Sequence, residues 1–249
     1  MVNVLAVIPA RGGSKAIPGK NLAKLGEYSL LERAIFAAMG SKVIDRIVVS
    51  TDSPDIAKVA NQYGSFAPTL RPADLALDAS TTLSVMQHVL TDQHQTFGKT
   101  YTNLILLEPT CPFRLPTHID QAFKQMTNTS ATSLMSLVEV SDAHPIRIKR
   151  VDGALNVTPY CIEEPEGLRR QDQDTAYIRN GAVYIYRTDL LWSGVQWGSN
   201  ATGYIMNRDL YSIGIDEPLD LIVAKAFYRD CKDKGILNKI EWIPEAYRR

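Results

Sequence analysis

Short apolar runs rich in β-branched residues alternate with amphipathic stretches through the first half of the chain. Residues 4–8 and 47–50 predict buried strands, while 30–39 and 54–63 predict helices. The rhythm continues with a helix over 81–90, a buried strand over 104–108, a helix over 117–126 and a strand over 132–138. Strands alternating with helices are the signature of βαβ units, so the pattern predicts a mainly parallel sheet flanked by helices. Over about 141–177 the rhythm stops, and a polar, proline-containing stretch without helical period reads as an extended excursion. The sheet resumes over 182–186. A last helix is predicted over 217–231, with Asp216 as its N-cap and Pro218 in its first turn.

A length of 249 residues suits a single α/β domain, 1–249, with the excursion as its appendage. Hydrophobic residues at 45% and charged residues at 22% are globular proportions, neither disordered nor membrane-spanning. Lys plus Arg equals Asp plus Glu at 27 each, so no excess positive field exists to bind a nucleic-acid backbone. A small anion needs only a few local cations and stays compatible. The opening apolar run has no basic segment before it and no small-residue cleavage site after it, which predicts a strand, not an export signal. Cys111, Cys161 and Cys231 are odd in number, far apart and lack a C-x-x-C pairing. That spacing argues against a disulfide framework or a zinc site and for a reducing, cytoplasmic setting.

The densest chemistry follows the first strand, in Pro9-Ala10-Arg11-Gly12-Gly13-Ser14-Lys15-Ala16-Ile17-Pro18-Gly19-Lys20-Asn21. Ligands of open α/β sheets bind beyond the carboxyl ends of the strands. Glycines let the backbone approach a ligand, and Arg11, Lys15 and Lys20 bring donors and positive charge for phosphate oxygens. A Walker A loop would need glycine at position 14 and Ser or Thr at position 21, where Ser14 and Asn21 stand. A nucleophile elbow would need glycine at position 16, where Ala16 stands, which disfavours serine hydrolysis.

This loop resembles the opening motif of the CMP-sialic acid synthetases, the acylneuraminate cytidylyltransferases. The likeness extends through Val49-Ser50-Thr51-Asp52, Leu70-Arg71-Pro72-Ala73-Asp74-Leu75-Ala76, Leu107-Glu108-Pro109-Thr110-Cys111-Pro112-Phe113-Arg114, Asn180-Gly181-Ala182-Val183-Tyr184 and Ile215-Asp216-Glu217-Pro218-Leu219-Asp220. The resemblance implies a Rossmann-like, three-layer αβα nucleotidyltransferase fold with a dimerisation arm in the excursion, and a homodimer. It also implies transfer of CMP from CTP to the anomeric hydroxyl of an acidic, sialic acid-like sugar, with release of pyrophosphate and Mg²⁺ as cofactor. Rival acceptors are legionaminate, pseudaminate, Kdn, Kdo or a phosphonate. Two readings outside that reaction are a nucleotide-binding scaffold without catalysis and a sugar-1-phosphate nucleotidyltransferase.

By the same resemblance Arg11, Gly12, Gly13, Ser14, Lys15, Lys20 and Asn21 surround the CTP triphosphate and ribose. Arg71, Ser80 and Thr82 lie by the nucleotide, Arg71 and Thr82 at the cytosine. Arg11 and Lys20 would stabilise charge on the reacting phosphates, and Asp216 would hold the metal. Glu108, Arg147, Arg170, Tyr177, Asn180 and Tyr184 would form the sugar site, with Arg169 an alternative to its neighbour. Two positions depart from the family pattern. Gly214 stands where an Asp-x-Asp pair would place its first carboxylate, and Glu108 stands where a glutamine is usual. Glu108 then either replaces the lost metal ligand or selects a different acceptor, because a carboxylate cannot donate as an amide does. For Asp216, capping a helix and holding a metal compete for the same oxygens.

Overall fold

The computed structural model describes residues 3–64, 66–140, 143–163, 165, 169 and 172–248. Ten strands and seven α-helices are found among them. They run β1 (Val4–Pro9), β2 (Lys24–Leu25), β3 (Tyr28–Ser29), α1 (Leu30–Gly40), β4 (Arg46–Ser50), α2 (Pro54–Asn61), α3 (Thr82–Phe97), β5 (Asn103–Leu106) and α4 (Pro116–Thr127). The second half holds β6 (Ser133–Glu139), β7 (Lys149–Val151), β8 (Val157–Pro159), β9 (Tyr177–Arg187), α5 (Thr188–Trp192), β10 (Ala201–Ile205), α6 (Arg208–Tyr211) and α7 (Pro218–Asp233).

Six strands form the central sheet in the order β10-β6-β9-β5-β1-β4. β1 is parallel to both β4 and β5, and β10 is parallel to β6, while β9 runs antiparallel between β5 and β6. The sheet is therefore mainly parallel, as predicted, with one reversed strand inserted at its centre.

β1 shows why a central strand reads as an unbroken apolar run. Val4, Ala6 and Ile8 face one core with Leu31 and Ile35 of α1, Ile56 of α2 and Ile119 of α4. Leu5 and Val7 face the other, against Met86 and Val89 of α3 and Leu191 of α5. Helices on both faces leave no solvated side to alternate with. Each large aliphatic side chain buried this way contributes about 1.5–3 kcal/mol. A third cluster joins Ile17 of the glycine loop to Leu25, Phe113, Ile215 and, on α7, Ala224, Tyr228 and Cys231. It moors the loop after β1 to the last helix.

Four expectations are corrected. α3 continues past residue 90 to Phe97, because its last turns carry polar residues that hide the period; Gly98, at φ 62°, ends it. The strand expected at 182–186 begins at Tyr177, where exposed residues pair with β6. The hairpin of β2 and β3 and the edge strand β10 escaped prediction, the former being two residues a side. Asp216 does not cap α7. The Asp220 carboxylate, one turn in, accepts from the backbone N–H groups of Asp216 and Glu217 at 2.9 and 2.8 Å, which releases Asp216. The expected excursion holds a short 3₁₀ turn at Pro145–Arg147 and the β7–β8 hairpin.

Candidate functional site

Parallel pairing brings the carboxyl ends of β1, β4 and β5 to one edge, and the glycine loop is pinned there from several sides. Ala10 N–H donates to the Ser50 carbonyl at 2.9 Å, and Gly12 N–H donates to Asp52 Oδ1 at 2.9 Å. A Cβ on Gly12 would lie 3.0 Å from Ser53 Cβ, so only glycine passes there without displacement. The buried Asn21 amide donates to the Arg11 carbonyl at 2.9 Å, closing the loop on itself. Lys20 Nζ crosses to the end of the chain, donating to the Ile215 carbonyl at 3.1 Å and to Asp216 Oδ1 at 3.0 Å. The Lys20 side chain is 15% exposed and that of Asp216 is 79% exposed, so the carboxylate is held from beneath and open above.

Two cavities open at this edge. One, of about 270 Å³, is lined by Arg11, Arg71, Asp78, Ser80, Thr82 and neighbouring apolar groups. It gathers four of the residues expected around the nucleotide. Arg71 is buried and donates Nε to Ser50 Oγ at 3.0 Å and Nη1 to the Leu75 carbonyl at 3.3 Å. Burial pulls its pKa down, opposed by the nearby Asp52 carboxylate. Thr82 is the first residue of α3, and Thr81 supplies the cap, accepting from Ser84 N–H at 3.1 Å. Asp78, which sequence reasoning missed, receives Arg11 Nη1 at 2.8 Å and Lys15 Nζ at 2.5 Å. Those hydrogen bonds hold the Asp78 carboxyl below its usual range. Gly12, Gly13 and Ser14 lie on the loop and line neither cavity.

The other cavity, of about 380 Å³, is lined by Glu108, Arg179, Asn180, Tyr184, Gly214 and Asp216 among others. Beneath it Arg114 is buried, donating Nη1 to the Ala182 carbonyl at 2.6 Å and Nη2 to the Glu108 carbonyl. Cys111 Sγ donates to the Asn180 carbonyl at 2.7 Å, and burial pushes that thiol up to about 12. A thiol so placed stays protonated and is no nucleophile. Burial also raises the pKa of Glu108, opposed by Arg114 and reinforced by the charge of Asp216.

Asn180 lines this cavity, yet its amide is already engaged. Its Oδ1 accepts from Ser136 Oγ at 2.6 Å, and its Nδ2 reaches the Tyr211 carbonyl at 3.1 Å. It therefore builds the wall and does not offer a free amide to a sugar. Arg147 and Tyr177 line neither cavity, being on the 3₁₀ turn of the excursion and at the exposed start of β9. Arg170 lies outside the described residues. Arg179 is the cation that does reach this cavity; a strand started five residues late left it unassigned between the excursion and the strand. At the opposite edge of the sheet, a cavity of about 260 Å³ beside His94, Lys99 and Trp192 is remote from these groups.

A cationic, glycine-permitted strand-end loop with two cavities at the same end of the sheet defines a nucleotidyltransferase, an enzyme that passes a nucleotidyl group to an acceptor. The chain belongs to the cytidylyltransferase family, whose model, described as Cytidylyltransferase, matches residues 5–192. It is 34% identical over 229 residues to the CMP-N,N'-diacetyllegionaminic acid synthase of Legionella pneumophila, covering 88% of this chain and 93% of that one. It is 29% identical to the pseudaminic acid cytidylyltransferase of Campylobacter jejuni, covering 90% of this chain and 96% of the relative. The solved structure of CMP:2-keto-3-deoxy-manno-octonic acid synthetase complexed with CTP shares the fold, with a TM-score of 0.68 at 18% identity over 92% of this chain and 99% of that one. Among the described residues no helix is long and apolar enough to cross a membrane.

Proposed function

We propose that the protein transfers CMP from CTP to the anomeric hydroxyl of a nonulosonate, an acidic sugar of the sialic, legionaminic or pseudaminic acid kind. The observation that carries this reading is that the two cavities, one beside Arg11 and Arg71 and one beside Glu108 and Arg179, open at the carboxyl ends of the paired strands β1 and β5, with the Lys20–Asp216 pair between loop and last helix. CTP takes the first cavity and the sugar takes the second. The sugar oxygen forms a bond to the α-phosphorus as the bond to pyrophosphate breaks, and the hydroxyl proton passes to solvent water. Arg11 and Lys20 lie on the loop to neutralise charge developing on the phosphates, and the mooring of that loop supplies the preorganisation.

The residues present fit a magnesium ion. Asp216 offers an open carboxylate, freed from capping, and no cluster of three acidic, His or Cys ligands exists among the described residues. That donor set suits an ion completed by phosphate oxygens and water, with Asp216 as the protein ligand. Once bound, Mg²⁺ would polarise the phosphate oxygens. The β7–β8 hairpin exposes Val151, Leu155 and Val157, an apolar surface that a second copy would cover in a homodimer. The setting is the cytoplasm, in keeping with the free thiols of Cys111, Cys161 and Cys231.

Pyrophosphate release tests the reading, with CTP, Mg²⁺ and a panel of nonulosonates. Turnover of at least one acceptor is expected. Better turnover of glucose 1-phosphate with UTP or dTTP, or none with any acid, refutes it. Neutralising Arg11 and Lys20 together should weaken CTP binding by about a hundredfold or more; undiminished affinity would refute the phosphate role of the loop.

A further inference from the structure

Glu108 sits in the turn beyond β5, and its side chain faces the acceptor cavity. Its carboxylate rides over Gly181, so closely that a Cβ there would fall 2.6 Å from Oε2. No hydrogen bond or ion pair reaches either carboxylate oxygen among the described residues, although the surroundings are rich in donors. Three nearby donor residues turn hydrogen bonds elsewhere. The Arg114 guanidinium holds the backbone carbonyls of Ala182 and Glu108, Cys111 holds the Asn180 carbonyl, and Lys20 holds Asp216.

A half-buried carboxylate given no protein donor loses its water when the cavity fills, an unfavourable state that the ligand's own donor can relieve. The relief is largest when the ligand's donor is itself charged, because such hydrogen bonds are about twice as strong as neutral ones. A nonulosonate's own carboxylate cannot supply it, since two like charges would repel; that end of the acceptor belongs nearer Arg179. Its hydroxyls donate only neutral hydrogen bonds, so the charged donor such a sugar can carry is a nitrogen-bearing substituent.

Resting on the function proposed above, we infer that Glu108 is the specificity-determining residue of the acceptor cavity, accepting a charge-assisted hydrogen bond from a protonated amine or amidine. The enzyme then selects acidic sugars that carry such a cation over congeners in which the same nitrogen is acylated. An acylated nitrogen offers one neutral N–H, adds bulk above Gly181 and leaves the carboxylate without a counter-charge.

The test uses the full-length protein with CTP and Mg²⁺ at neutral pH, and pairs of acidic sugars that differ only in a free amine against an acetamide. For the unaltered enzyme kcat/KM is expected to favour the amine by about tenfold or more. Glu108→Gln should abolish that preference by lowering kcat/KM for the amine, while CTP affinity stays within about threefold. Indifference or a preference for the acetamide in the unaltered enzyme overturns the inference by itself, whatever the variant does. So does a preference that survives in Glu108→Gln. No pyrophosphate from any acid in the unaltered enzyme overturns the function beneath it as well, and is thereby distinguished from indifference between the pair.

Discussion

Gly181→Ala probes the acceptor cavity at its tightest point. Gly181 lies at φ 72° in β9, where the register against β6 shifts between Met135 and Leu137. A non-glycine residue at positive φ costs roughly 1–2 kcal/mol. The new Cβ would also stand 2.6 Å from Glu108 Oε2 and 2.7 Å from Cys111 Sγ. Glu108 is the free end of a flexible side chain and can swing aside, but Cys111 is buried and hydrogen-bonded to the Asn180 carbonyl. Overpacking of this kind adds about 1–3 kcal/mol. A combined loss of about 3 kcal/mol lowers Tm by roughly 6–12 °C in a domain of this size. Because the displaced Glu108 faces the acceptor and not the nucleotide, the acceptor KM should rise about tenfold or more while the CTP KM stays within about threefold. Thermal unfolding and steady-state kinetics with each substrate varied in turn provide both readouts. A Tm within about 2 °C of the parent, or a CTP KM that rises in step with the acceptor KM, would refute the placement of Gly181 beneath the acceptor cavity.

Asp216 and Asp220 stand one turn apart and should separate cleanly. Asp220→Ala removes the oxygen that caps α7 and should cost about 1 kcal/mol in denaturant unfolding, whereas Asp216→Ala should leave stability nearly unchanged and raise the Mg²⁺ concentration needed for half-maximal activity. The reverse pattern would return the cap to Asp216. His118 accepts from Leu115 N–H at 3.0 Å and packs edge-on against Tyr211, and burial pulls its pKa down to about 4, with Arg114 reinforcing the shift. A depressed folded-state pKa means the unfolded chain binds the proton first, so this contribution is complete above about pH 6.5 and is lost as pH falls toward 4, up to about 3 kcal/mol. The stability of His118→Asn, which keeps an acceptor for Leu115 N–H, should fall less between pH 7 and pH 4.5 than that of the parent; parallel curves would contradict a buried neutral imidazole. Glu241 pairs with the buried Arg33 at 2.6 Å, so Glu241→Ala should destabilise by about 3 kcal/mol or more by leaving that guanidinium unpaired; a loss under about 1 kcal/mol would mean that Arg33 finds another partner.

Much of the αβα frame was legible in the sequence because its signal is local. β1 and β4 are apolar on both faces, and the helices that cover them carry their apolar residues at the helical period. The cationic loop was legible for the same reason, since Arg11, Lys15, Lys20 and three glycines fall within ten consecutive residues, 11–20. β10 and the first half of β9 were hidden, since their exposed residues give no buried face to read and their pairing partner β6 lies tens of residues away.

The sequence alone therefore determined which chemistry the chain carries and the strand end where it gathers, because both depend on residues adjacent along the backbone. Tertiary structure alone decided which atoms are free to use it. Asp216 is open because Asp220 takes the capping contacts, Asn180 is closed because Ser136 and Tyr211 engage its amide, and Glu108 is left unpaired beside Gly181. A hydrogen bond is a competition among groups brought close by folding, and a carboxylate's spelling in the sequence is the same whether it wins a partner or not.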